Sequence, residues 1–285
     1  MSNHPLKDTL IVAVLLLAVG IGFMLLQPKS TSTPDIKIIG DGANALPLEQ
    51  QILDFKPRPN AEGITVFYES KYFIYLSHDG RSYPSIVQSL EPMYVRIAAA
   101  YELPPENELI SVLVYPTQAA FWDNIFKNEP NDYYTTGKYD GEKSIMYIVD
   151  PADQSVRSEQ DMINSMTHEL VHLLFPNENV ELLEGLAFYL SGEIYPFDLD
   201  SWPKPDETLE FYHGQGAAVR RAHNYAAWRV KFMTEVCLAD DRPAFKDFYF
   251  SSTSDLDYSR LGFPDQPSFE VAFEQYLIKH SRVIK

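Results

Sequence analysis

Two helical patterns, at about 156–175 and 180–191, follow one another with only a short connection between them. Apolar residues recur at intervals of three and four in both, as amphipathic helices require. The first pattern begins at Ser158, with Asp161 at the spacing of a capping box, and it stops before Pro176. Because the connection is short, the second helix must fold back beside the first, which makes the pair a helical hairpin.

The segments before this hairpin predict a sheet. Runs of β-branched and aromatic residues indicate strands at 64–68, 72–76, 109–115 and 144–149, with helical spacing at 84–101 and 119–126 between them. After the hairpin the strong patterns are helical, at 217–237 and 268–280. Strands first and helices afterwards are typical of an α+β fold, here a mixed N-terminal sheet with helices and a mainly helical C-terminal lobe.

Charge and cysteine content exclude several classes of function. The formal net charge of −17 repels phosphate backbones, so nucleic-acid binding is not expected. The single cysteine, Cys237, excludes an intramolecular disulfide and a metal site built from cysteines. A hydrophobic content of 45% is that of a globular chain rather than a disordered one.

The N-terminal part of the chain predicts a membrane anchor. Residues 10–26 are apolar and uncharged, and as a helix they would span about 25 Å, enough for a hydrocarbon core. A cleaved signal peptide is the alternative, but no small-residue cleavage site follows the run. We therefore expect an anchor at 1–29, a tether at 30–63 and a domain at 64–285, with lobes at about 64–175 and 176–285. A single-pass protein of a bacterial envelope, with the domain outside the cytoplasm, is the expected arrangement.

The first helix of the hairpin carries the sequence His168-Glu169-Leu-Val-His172. Leu170 and its apolar neighbours form one face of this helix, whereas the two histidines fall almost opposite and Glu169 lies at the flank. Histidines four residues apart lie about 6 Å apart at Cβ and can hold one zinc ion. The alternative without a metal site is a solvated polar face with incidental histidines.

A catalytic zinc site needs a third protein ligand and an open position for water. The second helix of the hairpin offers Glu184, beside its apolar face, and Glu181 one turn earlier as a competitor. Gly185 lacks a side chain, so the backbones of the two helices can approach closely next to Glu184. Glu184 is therefore the preferred third ligand.

At this point the chain resembles a known family. His-Glu-Leu-Val-His followed by Glu-Gly-Leu-Ala is similar to the gluzincin metallopeptidases, specifically the peptidase MA-like group. The resemblance implies a zincin-like fold, a Zn²⁺ cofactor held by His168, His172 and Glu184, and Glu169 as the general base. It also implies that the strand before the motif helix, at 144–149, is the edge along which a peptide substrate lies.

Two features depart from the family pattern. Eleven residues separate His172 from Glu184, fewer than in many relatives. Phe188 stands where some gluzincins carry an Asp that supports a ligand histidine. The identity of the residue that stabilises the oxyanion is not fixed by the motif. The resemblance matches Tyr225 best, and the competing candidates are Tyr212, His213 and His223.

The expected function is that of a membrane-anchored zinc metallopeptidase. It would hydrolyse peptide bonds of a peptide or protein substrate with a zinc-activated water and Glu169 as the base. The alternative is a catalytically inactive zincin-like module that binds a peptide or an envelope partner through the aromatic segment 195–212. A structural anchor without metal is the third possibility, and the oligomeric state is left open.

Overall fold

The computed structural model describes residues 47–104, 109–127, 136–150, 158–196, 217–252 and 255–280. In this part of the chain a sheet comes first and long helices follow, so the predicted α+β class is confirmed. The strands are β1 (Arg58–Pro59), β2 (Thr65–Glu69), β3 (Phe73–Ser77), β4 (Ile110–Tyr115), β5 (Gly137–Asp140) and β6 (Ile145–Val149). The helices are α1 (Leu48–Asp54), α2 (Pro84–Ala100), α3 (Gln118–Ile125), α4 (Glu159–Leu174), α5 (Val180–Ser191), α6 (Ala217–Phe232), α7 (Arg242–Ser251) and α8 (Gln266–His280).

The strands form one mixed sheet in the order β1-β2-β3-β4-β6-β5. β3, β4 and β6 run parallel, whereas β1, β2 and β5 pair antiparallel with their neighbours. Alternate residues of β4 face opposite sides of the sheet. Val112 and Val114 join the core shared with α2 and the C-terminal helices, whereas Leu113 and Tyr115 join a second core under α3. Helices therefore bury both faces of the central strands.

The strand that directly precedes the motif helix is not the edge of the sheet, so that prediction is wrong. β6 lies between β4 and β5, and β5 is the outermost strand on this side of the described sheet. The two strands form a hairpin whose turn is fixed by the Asp140 side chain, which accepts hydrogen bonds from the backbone and the ammonium group of Lys143. The sequence Gly-Lys-Tyr-Asp of β5 lacks a β-branched run, so its pattern gave no strand signal.

The boundary predicted for the tether is also wrong. Residues 48–59, assigned to the tether at 30–63, contain α1 and β1, and Ile52 of α1 is buried in the main core. β1 pairs with β2 as the outermost strand on the far side, where Pro59 is tolerated. A helix of seven residues offers too few repeats for a periodic signal.

The predicted anchor lies outside the described residues. This covers the apolar run at 10–26 and the beginning of the tether. Within the ranges that the structure describes, no helix is both long enough and apolar enough to cross a membrane.

Candidate metal centre

Helix α4 carries the two histidines of the motif on the side away from its core contacts. The predicted capping box begins the helix: the Ser158 hydroxyl accepts a hydrogen bond from the Asp161 N–H, and the Asp161 carboxylate accepts one from the Ser158 N–H. Leu170 is fully buried in the main core. His168 and His172, one turn apart, keep 14% and 15% of their side-chain surface exposed, so a small ligand can still reach imidazoles that are otherwise enclosed.

Contacts with α7 fix the turn between α4 and α5. The Asn177 side chain donates hydrogen bonds to the backbone carbonyls of Tyr249 and Ser252. In return, the buried Tyr249 hydroxyl donates a hydrogen bond of 2.7 Å to the Phe175 carbonyl. These bonds engage backbone carbonyls at the ends of α4 and α7, and they set the direction in which α5 begins.

Helix α5 runs back beside α4 and brings a carboxylate to the histidines. Asn179 caps its N-terminus by accepting a hydrogen bond from the Leu182 N–H, and Gly192 ends it in the left-handed conformation, with φ 79°. Both are residue types that favour helix ends. Glu184, in the middle of α5, lies opposite His168 and His172.

Three side chains converge on one point between the two helices. Nε2 of His168 lies 2.9 Å from Nε2 of His172 and 3.4 Å from Oε2 of Glu184. The distance from His172 Nε2 to Glu184 Oε1 is 3.6 Å. Among the described residues, these form the one grouping of histidine, cysteine and acidic side chains whose donor atoms all lie within 4.8 Å of one another.

This arrangement fits a zinc ion. Donors about 2.1 Å from a tetrahedral zinc lie about 3.4 Å from one another, close to the distances found here. Two Nε2 atoms 2.9 Å apart direct their lone pairs at each other unless a proton or a cation lies between them. Two histidines and one glutamate also make up the donor set of catalytic zinc sites that leave a fourth position open.

The flanking Glu169 reaches the edge of the sheet. Its Oε2 accepts a hydrogen bond of 2.7 Å from the backbone N–H of Tyr139 in β5. Burial raises the pKa of Glu169 to about 7, against the opposing effect of His168 and with a further contribution from Glu184. A carboxylate with a pKa near neutrality can both take up and release a proton at that pH.

The charges of the three converging groups depend on one another. Burial raises the pKa of Glu184, but the imidazoles of His168 and His172 outweigh it and hold that pKa well below its usual range. Burial and the neighbouring His168 lower the pKa of His172. Burial also lowers the pKa of His168, but Glu184 and Glu193 outweigh it and raise that pKa. Of the two imidazoles, that of His168 therefore favours the protonated form more.

The grouping is surrounded by three further residues, Glu193, Phe188 and His223. Of these, Glu193 was not among the candidates from the sequence. Glu193 Oε2 lies 3.6 Å from His168 Nδ1, on the side of the ring away from the other donors. Phe188 places its ring edge-on to both His168 and His223, with centroid distances of 5.1 Å. Glu193 follows the helix terminus at Gly192, so no periodic pattern could connect it with His168.

His223, a candidate from the sequence, lies at this centre. Its Nδ1 is 3.8 Å from Oε2 of Glu184, and its helix, α6, packs directly on α5 next to Gly185. A Cβ added at Gly185 would lie 2.6 Å from the Ala226 carbonyl oxygen and 2.9 Å from Val230 Cγ2. Gly185 therefore permits close approach to α6, not to α4 as predicted, because the atoms nearest to an added Cβ all belong to α6.

Two other candidates lie elsewhere. Glu181 forms an ion pair of 3.2 Å with the buried Arg229, so the structure brings Glu184, and not Glu181, to the histidines. Tyr225 is 2% exposed and packs edge-on against Phe273 of α8. Residues two apart on a helix point about 200° apart, so Tyr225 points away from the candidate centre while His223 faces it. Tyr212 and His213, together with most of the aromatic segment 195–212, lie outside the described residues.

Comparisons with known proteins add no relative to this picture. Protein-family models and curated proteins were both compared with the chain, and neither comparison finds a match.

Proposed function

We propose that this protein is a zinc-dependent metallopeptidase of the gluzincin type, with a zincin-like fold. The observation that carries the proposal is the convergence of His168, His172 and Glu184, with Glu169 on the same helix and turned towards the sheet edge. Each residue of the sequence motif thereby receives a separate role. A solvated helix face with incidental histidines has no reason to meet a largely enclosed glutamate from a second helix.

A zinc ion bound by the three side chains would supply a Lewis acid that polarises the scissile carbonyl and makes water a stronger acid. Glu169 accepts a proton from the attacking water and passes it to the nitrogen of the departing amine. The water oxygen first forms the new bond to the carbonyl carbon, which places negative charge on the carbonyl oxygen. The carbon–nitrogen bond then breaks, and the amine leaves with the proton from Glu169. Glu193 lies 3.6 Å from His168 Nδ1, where its carboxylate can orient this ring.

The oxyanion that develops during this reaction requires a hydrogen-bond donor close to the metal ligands. His223 is the described residue that suits this role, because its Nδ1 lies 3.8 Å from the Glu184 carboxylate. It also stands outside the three-donor grouping, so it leaves the fourth position to water and substrate.

The edge strand β5 supports a peptide as the substrate. An extended peptide can pair with the exposed backbone of an edge strand, and its side chains then alternate between the cleft and solvent. β5 runs beside Glu169, so a peptide paired there would pass next to the general base. We further propose that the apolar run at 10–26 anchors the chain in a cell membrane, with this domain on the outer side.

The zinc content of the purified full-length chain is the first test. About one zinc per chain, lost in the Glu184→Ala variant, is expected for a single site with three protein ligands. A zinc content near zero after incubation with zinc would overturn the proposal at its first step.

Cleavage of unfolded proteins is the second test. The Glu169→Gln variant should keep its zinc and lose about 10²- to 10⁴-fold in the rate of cleavage, because a base and not a ligand has been removed. The matched control is Glu178→Gln, at an exposed glutamate just beyond the same helix. A zinc-loaded wild-type chain that binds peptides and cleaves none of them would favour the inactive binding module instead.

A further inference from the structure

The hydrogen bond from the Tyr139 N–H to Glu169 joins helix α4 to the edge strand β5. β5 pairs with β6 on one side only, and it ends the described sheet on the other. On the β6 side, the Thr136 carbonyl accepts a hydrogen bond of 3.0 Å from the Val149 N–H. Backbone groups of an extended strand alternate between its two edges, so Tyr139, three residues later, directs its N–H away from β6. Glu169 therefore takes the place of one backbone partner on the free edge of β5.

A glycine makes this approach possible. A Cβ built at Gly137 would lie 2.7 Å from Cγ of Glu169 and 3.4 Å from its Oε1. The first distance is well inside van der Waals contact, so any side chain at this position would displace the glutamate or the strand. Its φ is not in the left-handed region, so close approach, and not backbone conformation, requires the glycine.

We propose that Gly137 and the backbone N–H of Tyr139 form a socket that positions the Glu169 carboxylate. Gly137 provides the space for the side-chain stem, and the N–H fixes Oε2 on the strand. The second carboxylate oxygen is then left for proton transfer. Because the carboxylate uses this N–H, a peptide that docks along β5 must pair with other backbone groups of the strand, next to a base held in a fixed position. This inference rests on the proposed function of Glu169.

Hydrogen exchange tests the socket without any catalytic assay. In the full-length chain, the Tyr139 amide should exchange about 10- to 100-fold faster in Glu169→Ala than in wild type, because a charge-assisted hydrogen bond has been lost. Glu169→Gln should keep most of the protection, since its side-chain carbonyl still accepts. Mass spectrometry with fragmentation to single residues gives the readout. Equal exchange of this amide in wild type and Glu169→Ala would overturn the socket, whatever the protein catalyses.

The role of the glycine is tested with a matched pair of variants. Gly137→Ala should keep zinc and the fold, speed exchange at Tyr139, and lower kcat by about 100-fold with little change in KM, as expected for a base displaced by about 1 Å. The control is Gly141→Ala in the same hairpin, where an added Cβ would meet its nearest neighbour at 3.6 Å. Slow exchange at Tyr139 in Gly137→Ala would contradict the proposed space requirement even if the protein proves to have no peptidase activity.

Discussion

Glu181 and Glu184 lie one turn apart on α5, and both are largely withdrawn from water, yet their surroundings differ. Glu181 pairs with Arg229, whose guanidinium also lies 2.6 Å from Glu270 Oε1 and donates a hydrogen bond to the Tyr258 hydroxyl. Glu184 faces imidazole nitrogens. A guanidinium carries a permanent charge and has no lone pair to offer, whereas an imidazole can be protonated or can bind a metal. The first region is thus a fixed link between helices, whereas the second could hold either a proton or a metal ion.

The two regions share the helix pair α5 and α6, which explains how they can coexist. Gly185 brings the backbones of this pair together, and the Arg229 ion pairs tie them to α8. Burial lowers the pKa of Arg229, but Glu181 and Glu270 outweigh it and raise that pKa further, so the link stays charged. The comparison teaches that burial of a glutamate does not indicate a metal site; the chemistry of its partner does.

The largest expected effect is that of Arg229→Ala. Removing this buried guanidinium leaves two partly buried carboxylates without their cation, which should lower the free energy of unfolding by about 3–5 kcal/mol. Chemical denaturation measures this loss. Lys231→Ala is the control, because it breaks a more exposed pair with Glu235 on the same helix and should cost less than about 1 kcal/mol. If the two variants prove equally stable, the Arg229 ion pairs do not hold these helices together.

Zinc affinity should separate the two glutamates. Removing a group that hydrogen-bonds to a metal ligand lowers metal affinity by about 10- to 100-fold. Glu184→Ala removes the proposed ligand itself, so it should lower zinc affinity by more than about 100-fold. Glu181→Ala should leave the affinity unchanged. Competition with a chromophoric chelator gives both values. The reverse result, with zinc binding lost only in Glu181→Ala, would make Glu181 the third ligand.

Gly185→Ala tests the contact that both regions share. Its added Cβ would meet the Ala226 carbonyl oxygen at 2.6 Å, and crowding of this kind costs about 1–3 kcal/mol. Thermal or chemical unfolding measures the loss. Adding Val230→Ala relieves only the side-chain contact, so the double variant should recover little of the lost stability. Full recovery would show that the backbone oxygen is not the obstacle.

The smallest expected effect concerns Glu193. Its carboxylate lies 3.6 Å from Nδ1 of His168, so Glu193→Ala should lower zinc affinity by about 10- to 100-fold without changing the number of zinc ions bound. Glu193→Gln should cost less, because the amide oxygen remains beside Nδ1 and can accept a hydrogen bond from it. An affinity equal to wild type in Glu193→Ala would show that another group supports His168.

Much of the fold could be predicted because its signals are local. Caps at Ser158, Asn179 and Gly192 mark helix ends by their own hydrogen bonds or backbone conformation, and long amphipathic helices such as α2 repeat their pattern several times. Segments with little repetition were missed: α1, the two-residue β1, and β5 with its polar sequence. α7 was also missed, although Asp241 and Pro243 begin it as a capped helix.

The sequence by itself determined the chemical identity and spacing of the motif residues, because His168, Glu169 and His172 lie within a single helix. It also restricted the third ligand to two positions on the next helix. Only the tertiary structure decided between Glu184 and Glu181, brought His223 and Glu193 to the centre, and assigned the edge to β5. These outcomes depend on how helices and strands pack across large separations in sequence, and no local pattern carries that information. The N–H of Tyr139 is the clearest case, since its acceptor lies thirty residues away along the chain.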